Sequence, residues 1–147
     1  MIGAYYFQPE QACIIVDCGT AITLDVLGPT GHHLGGLIVP GLTAMQRALQ
    51  NQVPALSFFE GIAESCQDVT LLARDTQSGM RLGIFYTVIG FIEYVKGTLE
   101  KLETNVQFTL IITGGNAPTL LPLLHSPYQH IPDLVLRGLL TIVDKNL

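Results

Sequence analysis

Apolar and alternating stretches in the first forty residues predict a meander of three strands. Ala12 to Asp17 is a nearly continuous apolar run that ends in an acid, and Ala21 to Leu27 alternates more loosely. Gly28-Pro29-Thr30-Gly31 has the composition of a turn. His32 to Val39 returns as a third strand, and Pro40-Gly41 ends the meander.

Helical spacing follows the meander. A short amphipathic helix is predicted from Leu42, where apolar residues recur at helical intervals, and Asn51 to Gly61 is expected to be loop. A much longer helix is predicted from about Asp75 to Glu103. Asp75 or Thr76 can cap its first turn, because a short oxygen-bearing side chain accepts a hydrogen bond from an unpaired helix N–H group.

The centre of this long helix is apolar on nearly every side, which predicts that it is buried in a core or an interface. Its distal, charged end is expected to be solvated. It also contains Gly79, Gly83 and Gly90, and each glycine costs about 1 kcal/mol relative to alanine in a helix. Close approach of another backbone would compensate, either at a dimer seam or within the subunit, and the spacing leaves both open.

A fourth strand, a turn and another helix are predicted after the long helix. Val106 to Thr113 is predicted to be a strand that ends in Gly114-Gly115, and a helix is expected from Pro118 to Leu124. Two glycines at such a junction let a ligand approach the backbone and leave N–H groups for an anion or nucleotide. A purely steric need for glycine remains the alternative. A last strand at Leu134 to Leu136 and a helix from about Gly138 to Lys145 complete the predicted elements.

Composition indicates one domain whose surface is covered by something else. The chain has 147 residues, 48% of them hydrophobic and only 13% charged, whereas about 25% is typical of soluble domains. A bilayer, a partner subunit or a missing domain could provide the cover. The apolar run Leu82 to Ile92 is shorter than the roughly 20 residues that a spanning helix needs, and no signal-peptide pattern opens the chain. We therefore expect a cytoplasmic protein without a membrane segment.

Charge and cysteine content exclude other classes. A net charge of −5 with seven Lys and Arg disfavours binding to nucleic acid, which needs clustered cations. The three cysteines, Cys13, Cys18 and Cys66, form no Cys-x-x-Cys pair and suit reduced thiols. Adjacent His32 and His33 would point to opposite sides of a strand, which disfavours a shared metal site.

The end of the first strand carries the most informative chemistry. Asp17, Gly19 and Thr20 present a carboxylate, an unhindered backbone N–H and a hydroxyl together, which suits a nucleotide with its cations. The order of predicted elements is that of one actin-like (ribonuclease H-like) ATPase half-domain, an α/β fold with a three-stranded meander, further strands and flanking helices. In that fold the nucleotide lies in a cleft between two such halves.

The motifs resemble those of type III pantothenate kinases. Asp17 to Asp25 is similar to the second phosphate motif of that family, and Gly35 to Leu42 is similar to its Gly-Gly-x-Ile-x-Pro-Gly segment. Three further matches follow in order: Thr76 with Gly79, Thr113 to Ala117, and Pro132 to Leu139. Together these matches correspond to the C-terminal domain of the enzyme.

Other family motifs are not found in residues 1–147. The family carries an Asp-x-Gly-Asn phosphate loop and a Gly-x-Asp-Arg segment whose aspartate is regarded as the general base. Met1 to Tyr5 resembles the helix end that follows the latter, so the chain is expected to be the C-terminal domain without its N-terminal partner. Val53 to Ser57 also departs from the family's Thr-Ala-x-Leu-Pro, which leaves its local contacts open.

The resemblance implies ATP-dependent phosphorylation of pantothenate to 4′-phosphopantothenate, the first step of coenzyme A biosynthesis, by a homodimer. It assigns no catalytic residue to this chain, which is expected to be inactive alone. A non-catalytic dimer-forming domain and a sugar kinase of the same superfamily are the alternatives.

The resemblance also implies roles for single residues. Asp17 would bind a monovalent cation, potassium or ammonium, with magnesium as a further candidate, and Thr76 would bind pantothenate. Asp25 would support either the hairpin or the cation site, and a structural role is favoured. The residues expected to contact ATP are Gly19, Thr20, Gly114 and Gly115.

Overall fold

The computed structural model describes residues 1–56 and 71–145, and a mixed sheet of five strands lies at the centre of this part of the chain. The strands run β3-β2-β1-β4-β5 across the sheet. Their bounds are β1 Ala12–Cys18, β2 Ala21–Leu27, β3 His33–Pro40, β4 Phe108–Thr113 and β5 Tyr128–His130.

The predicted meander is confirmed, because β1, β2 and β3 pair antiparallel in sequence order. β4 and β5 then add to the other side of β1, both parallel to their neighbours. Asp17 on β1 lies opposite Thr23 on β2 and opposite Thr113 on β4. The end of the sheet therefore aligns these three polar residues across its centre.

Helices cover both surfaces of the sheet. Their bounds are α1 Ile2–Phe7, α2 Leu42–Gln52, α3 Thr76–Leu102, α4 Ala117–Leu120 and α5 Leu134–Lys145. Because successive strand residues point to opposite sides, Ile14 and Val16 join the larger core with Phe85 of α3. Cys13 and Ile15 instead join a smaller core with residues of α1 and α5. The same alternation places Asp17 on the α1 and α5 side.

The long helix begins and ends within one residue of the predicted positions. Asp75 is its N-cap, and the Asp75 carboxylate accepts a hydrogen bond of 2.9 Å from the Ser78 N–H group. Phe85, Val88 and Ile92 are fully buried on one side of α3. The predicted core role of the helix is therefore confirmed.

The glycines of α3 lie on its open side. A Cβ atom added at Gly83 or Gly90 would meet no described atom within 4 Å, and one at Gly79 would only touch the Ala73 Cβ at 3.9 Å. Close packing within the subunit was one explanation for these glycines. Among the described residues that explanation is wrong.

Length and composition alone would allow α3 to cross a membrane. The whole helix has 27 residues, and an 18-residue window of it has a mean hydropathy of 1.2. The apolar run Leu82 to Ile92, which is too short to span a membrane, is only part of this helix. One such helix is weak evidence, since core helices of soluble proteins pass the same test, and a third of the window is already buried against the sheet.

The charged end of α3, expected to be solvated, begins at Glu93, which is only partly exposed. Its carboxylate accepts hydrogen bonds from the backbone N–H groups of His125 and Ser126, at 3.0 and 2.9 Å, and another from the Ser126 hydroxyl. Burial acts to raise the pKa of Glu93, but these hydrogen bonds outweigh it, and the pKa lies below its usual value. Glu93 therefore anchors the loop before β5 to α3.

The predicted strand at Leu134 to Leu136 is wrong, because these residues form the first turn of α5. The Arg137 N–H donates to the Asp133 carbonyl at 3.0 Å, and its guanidinium pairs with the Asp133 carboxylate at 2.8 Å. This spacing of four residues starts the helix before Gly138. The last strand is instead β5, which lies earlier in the chain.

Two further predicted elements change. Residues 51 and 52 belong to α2, and Pro54–Leu56 forms a 3-10 turn rather than loop. Ser57 and Cys66 lie outside the described residues. The helix expected from Pro118 to Leu124 is one α-helical turn, α4, followed by a 3-10 turn at Leu121–Leu123. A helix this short offers little of the dipole expected to favour an anion.

Candidate functional site

The β1–β2 hairpin is fixed by backbone hydrogen bonds. The Gly19 N–H donates to the Ala21 carbonyl at 3.1 Å, which closes the turn, and Thr20 is exposed at its tip. The Gly19 N–H is therefore not the free donor that the sequence predicted. The Gly41 N–H donates to the Thr20 carbonyl at 3.1 Å. A side chain at Gly41 would overlap that carbonyl, so the glycine lets α2 begin directly beside the hairpin.

The loop after β4 packs against the same hairpin. Gly114 has φ 93°, and a Cβ atom there would lie 2.5 Å from the Asp17 Oδ1 and 2.6 Å from the Cys18 nitrogen. No other residue type fits this backbone and this space. Gly115, by contrast, is exposed, and a Cβ atom there would meet no described atom within 4 Å.

Asn116 joins the two loops. Its backbone N–H donates to the Cys18 carbonyl at 2.9 Å, and its side-chain amide donates to the Gly19 carbonyl at 3.2 Å. The hairpin and the β4 loop are therefore held together at one end of the sheet. The structure brings together Asp17, Gly19, Thr20, Gly114 and Gly115 as the sequence predicted.

Asp17 lines a cavity of about 300 Å³ between the sheet and helices α1 and α5. Thr23, Asp25 and Thr113 line the same cavity. Asp17 is partly exposed, and no described group donates a hydrogen bond to its carboxylate. An unpaired carboxylate beside hydroxyl oxygens matches the oxygen ligands that hard cations take.

Asp25 is held by strand β3. Its Oδ1 accepts a hydrogen bond from His33 Nε2 at 2.9 Å, and a Cβ atom at Gly36 would lie 2.6 Å from the same oxygen. Gly36 therefore gives the Asp25 carboxylate room above β3. These contacts agree with the hairpin-supporting role expected for Asp25.

Cys18 follows Asp17 but offers no nucleophile. Burial, with a smaller contribution from the neighbouring Asp17 carboxylate, raises the pKa of the Cys18 thiol to about 12. The thiol is protonated at neutral pH and cannot act as a base. Among the described residues, no group of three or more His, Cys, Asp and Glu side chains could hold a metal ion.

A second cavity, of about 600 Å³, opens on the other side of the hairpin. Gly19, Thr20 and Asn116 form one wall, and a face of α2 forms the opposite wall. The polar residues of that face are Thr43, Arg47 and Asn51, spaced four residues apart. Arg47, Asn51 and Asn116 were not predicted as site residues, although the spacing of the α2 residues was a signal for the first two.

Thr76 is separate from this arrangement. It is the first residue of α3 and is exposed. It is not among the residues that line either cavity beside the hairpin. Five of the six predicted binding residues therefore lie at this end of the sheet, and Thr76 lies apart. Of the five, Asp17 faces the cavity beside α1 and α5, whereas Gly19 and Thr20 face the cavity beside α2.

Solved structures give the class of the fold. A Campylobacter jejuni protein described as a Baf family transcriptional activator superposes with a TM-score of 0.66 at 22% identity, covering 99% of this chain and 62% of that chain. MreB 5 of Spiroplasma citri, solved with AMPPNP, superposes with a TM-score of 0.52 at 12% identity, covering 99% of this chain and 57% of that one. The fold is that of the actin-like ATPases, as predicted.

Sequence comparison gives the family. The family model for type III pantothenate kinase matches residues 1–97. The type III pantothenate kinase of Nitrosococcus oceani is 46% identical over 88% of this chain and 47% of its own length. That of Hydrogenovibrio crunogenus is 40% identical over 92% of this chain and 53% of its own length. The chain belongs to the type III pantothenate kinase family, and it spans about half the length of these curated relatives.

Proposed function

We propose that the chain is the C-terminal half of a two-domain actin-like kinase that transfers the γ-phosphoryl group of ATP to pantothenate, giving 4′-phosphopantothenate for coenzyme A biosynthesis. The observation that carries the proposal is the joining of the β1–β2 hairpin to the β4 loop through Gly114 and Asn116. That contact places a carboxylate, a hydroxyl and open backbone at one end of the sheet. Family membership supports the reaction.

In this proposal Gly19 and Thr20 contact the phosphates of ATP, while Gly114 and Gly115 lie along the nucleotide. Asp17 binds a potassium or ammonium ion beside them, supported by its free carboxylate. Magnesium would be held chiefly by the phosphates themselves, since it usually keeps few protein ligands. Phosphoryl transfer depends mainly on such positioning and charge stabilisation.

Pantothenate binding by Thr76 rests on family resemblance. The exposed first turn of α3 supports it by leaving the Thr76 side chain accessible. In a homodimer, the α3 of a second copy could bring residues to this turn. We further propose that the protein is cytoplasmic.

The exposed glycines of α3 favour a second candidate function, that of a non-catalytic domain that forms dimers. Gly83 and Gly90 leave a flat helical surface on which a second backbone could pack closely. This candidate shares the dimer with the kinase and differs from it in having no turnover.

The chain should be assayed for ATP-dependent phosphorylation of pantothenate with potassium or ammonium. One arm uses the chain alone, and the other adds the N-terminal half of the Nitrosococcus oceani relative as a separate chain. Turnover only in the second arm supports the kinase. No turnover although the two halves associate would contradict it and favour the dimer-forming domain. Sugars as alternative acceptors test the choice of substrate.

A further inference from the structure

The cavity between the hairpin and α2 is rich in hydrogen-bond donors. Its lining residues include the Thr20 hydroxyl, the side-chain amides of Asn51 and Asn116, and the guanidinium of Arg47. Arg47 is the single charged residue among the described residues that line it. A cavity with a cation and no acid attracts an anionic ligand.

Arg47 is also available to a ligand. No carboxylate of the described residues lies within ion-pair distance of it. Two other cations are paired, Lys96 with Glu100 and Arg137 with Asp133, and so are not free for an anion. Arg47 combines the lack of an acidic partner with a place at the wall of this cavity.

The position of Arg47 relative to the hairpin is fixed by the backbone. The Gly41 N–H donates to the Thr20 carbonyl, and α2 begins at the next residue. Arg47 lies five residues further along α2, roughly 7.5 Å at 1.5 Å per residue. A group bound at Thr20 could therefore extend along α2 to Arg47.

We infer that Arg47 binds the phosphate chain of the nucleoside triphosphate whose other contacts are Gly19 and Thr20. The inference rests on the proposed function for the identity of the ligand. Guanidinium groups suit this task because their planar donors bind two phosphate oxygens at once. Arg47 would supply a full positive charge where the hairpin supplies only neutral donors.

Binding of ATP and of adenosine to the chain tests the inference, because only ATP carries phosphates. Arg47→Ala is expected to weaken ATP binding at least about tenfold, which is the loss typical of a charged hydrogen bond. Its affinity for adenosine should not change. Arg47→Lys should lie between the two. Lys101→Ala, which removes an exposed charge at the far end of α3, is the matched control and should bind ATP like the wild type.

Three results would overturn the inference: equal ATP affinity in Arg47→Ala and wild type, equal losses for ATP and adenosine, or no ATP binding by the wild-type chain. Equal losses would assign Arg47 to the base instead. The pantothenate assay judges the proposed function separately. A chain that needs Arg47 for ATP but never phosphorylates pantothenate would retain the inference and lose the proposal.

Discussion

The end of the sheet and the outer surface of α5 differ in how far the described residues cover their polar and apolar groups. At the sheet end, backbone hydrogen bonds join the hairpin, the β4 loop and the start of α2 into one unit. On α5, large apolar side chains are left open to solvent, with Leu136 63% and Leu140 62% exposed. The loops at the end of the sheet are thus held together within the described residues, while apolar surface on α5 stays open to solvent.

The glycines show the same contrast. Gly114 is forced by a positive φ and by contact with Asp17 and Cys18. Gly83 and Gly90 have no such contact within the described chain. Glycine is therefore required by close backbone contacts at Gly114, whereas the glycines of α3 leave its surface open.

Gly114→Ala is expected to have the largest effect. The backbone strain alone costs about 1–3 kcal/mol, and the overlap with Asp17 adds to it. Urea denaturation should show a lower free energy of unfolding, together with weaker ATP binding. Gly115→Ala is the matched control for stability alone, because its Cβ would meet no described atom within 4 Å, and its free energy of unfolding should equal that of the wild type. Equal losses of unfolding free energy in the two variants would contradict the steric need for glycine at Gly114.

Gly90→Leu tests the open surface of α3. If a second copy packs there, the larger side chain should weaken the dimer by about 1–3 kcal/mol, the usual cost of overpacking. Analytical ultracentrifugation over a range of concentrations would measure this. If the surface is solvated, Gly90→Ala and Gly90→Leu would both stabilise the helix, without any change in oligomeric state. That result would contradict the dimer.

Glu93→Gln should have a smaller effect, because the amide oxygen can still accept hydrogen bonds while the charge is lost. A loss of about 1 kcal/mol is expected. Since the folded pKa is lowered, the stabilisation by Glu93 is present above the ordinary value of 4.5 and is lost as the pH falls through the folded pKa. As the pH falls through that acidic range, thermal unfolding should show a smaller loss of stability in the variant than in the wild type. Parallel pH profiles for variant and wild type would contradict the role of Glu93.

The fold could be predicted from the sequence where local pattern and local structure agree. The three strands of the meander and α3 fall within a residue or two of prediction, because alternation and the Asp75 cap act over short distances. The strand expected at Leu134 failed because its apolar residues fit strand or helix, and the Asp133–Arg137 pair favours the helix.

The site could be predicted only in part. Gly114-Gly115 was open to a steric or a ligand explanation, and the structure divides the two, since Gly114 is sterically required and Gly115 is exposed. Arg47 was missed because its place beside Thr20 depends on the packing of Gly41 against the hairpin. That contact joins the hairpin to the start of α2, and the residue pattern of neither segment alone predicts it.

The most direct test of the account is whether the hairpin and the β4 loop bind a nucleotide together. Backbone amide NMR shifts of the chain should be followed during titration with ATP in potassium, with Asp17→Asn as the variant that tests the cation. The account predicts that the amides of Gly19, Thr20, Gly114 and Gly115 shift together, and that their dependence on potassium disappears in the variant. Shifts confined to one loop or to other parts of the chain, or none at all, would contradict it.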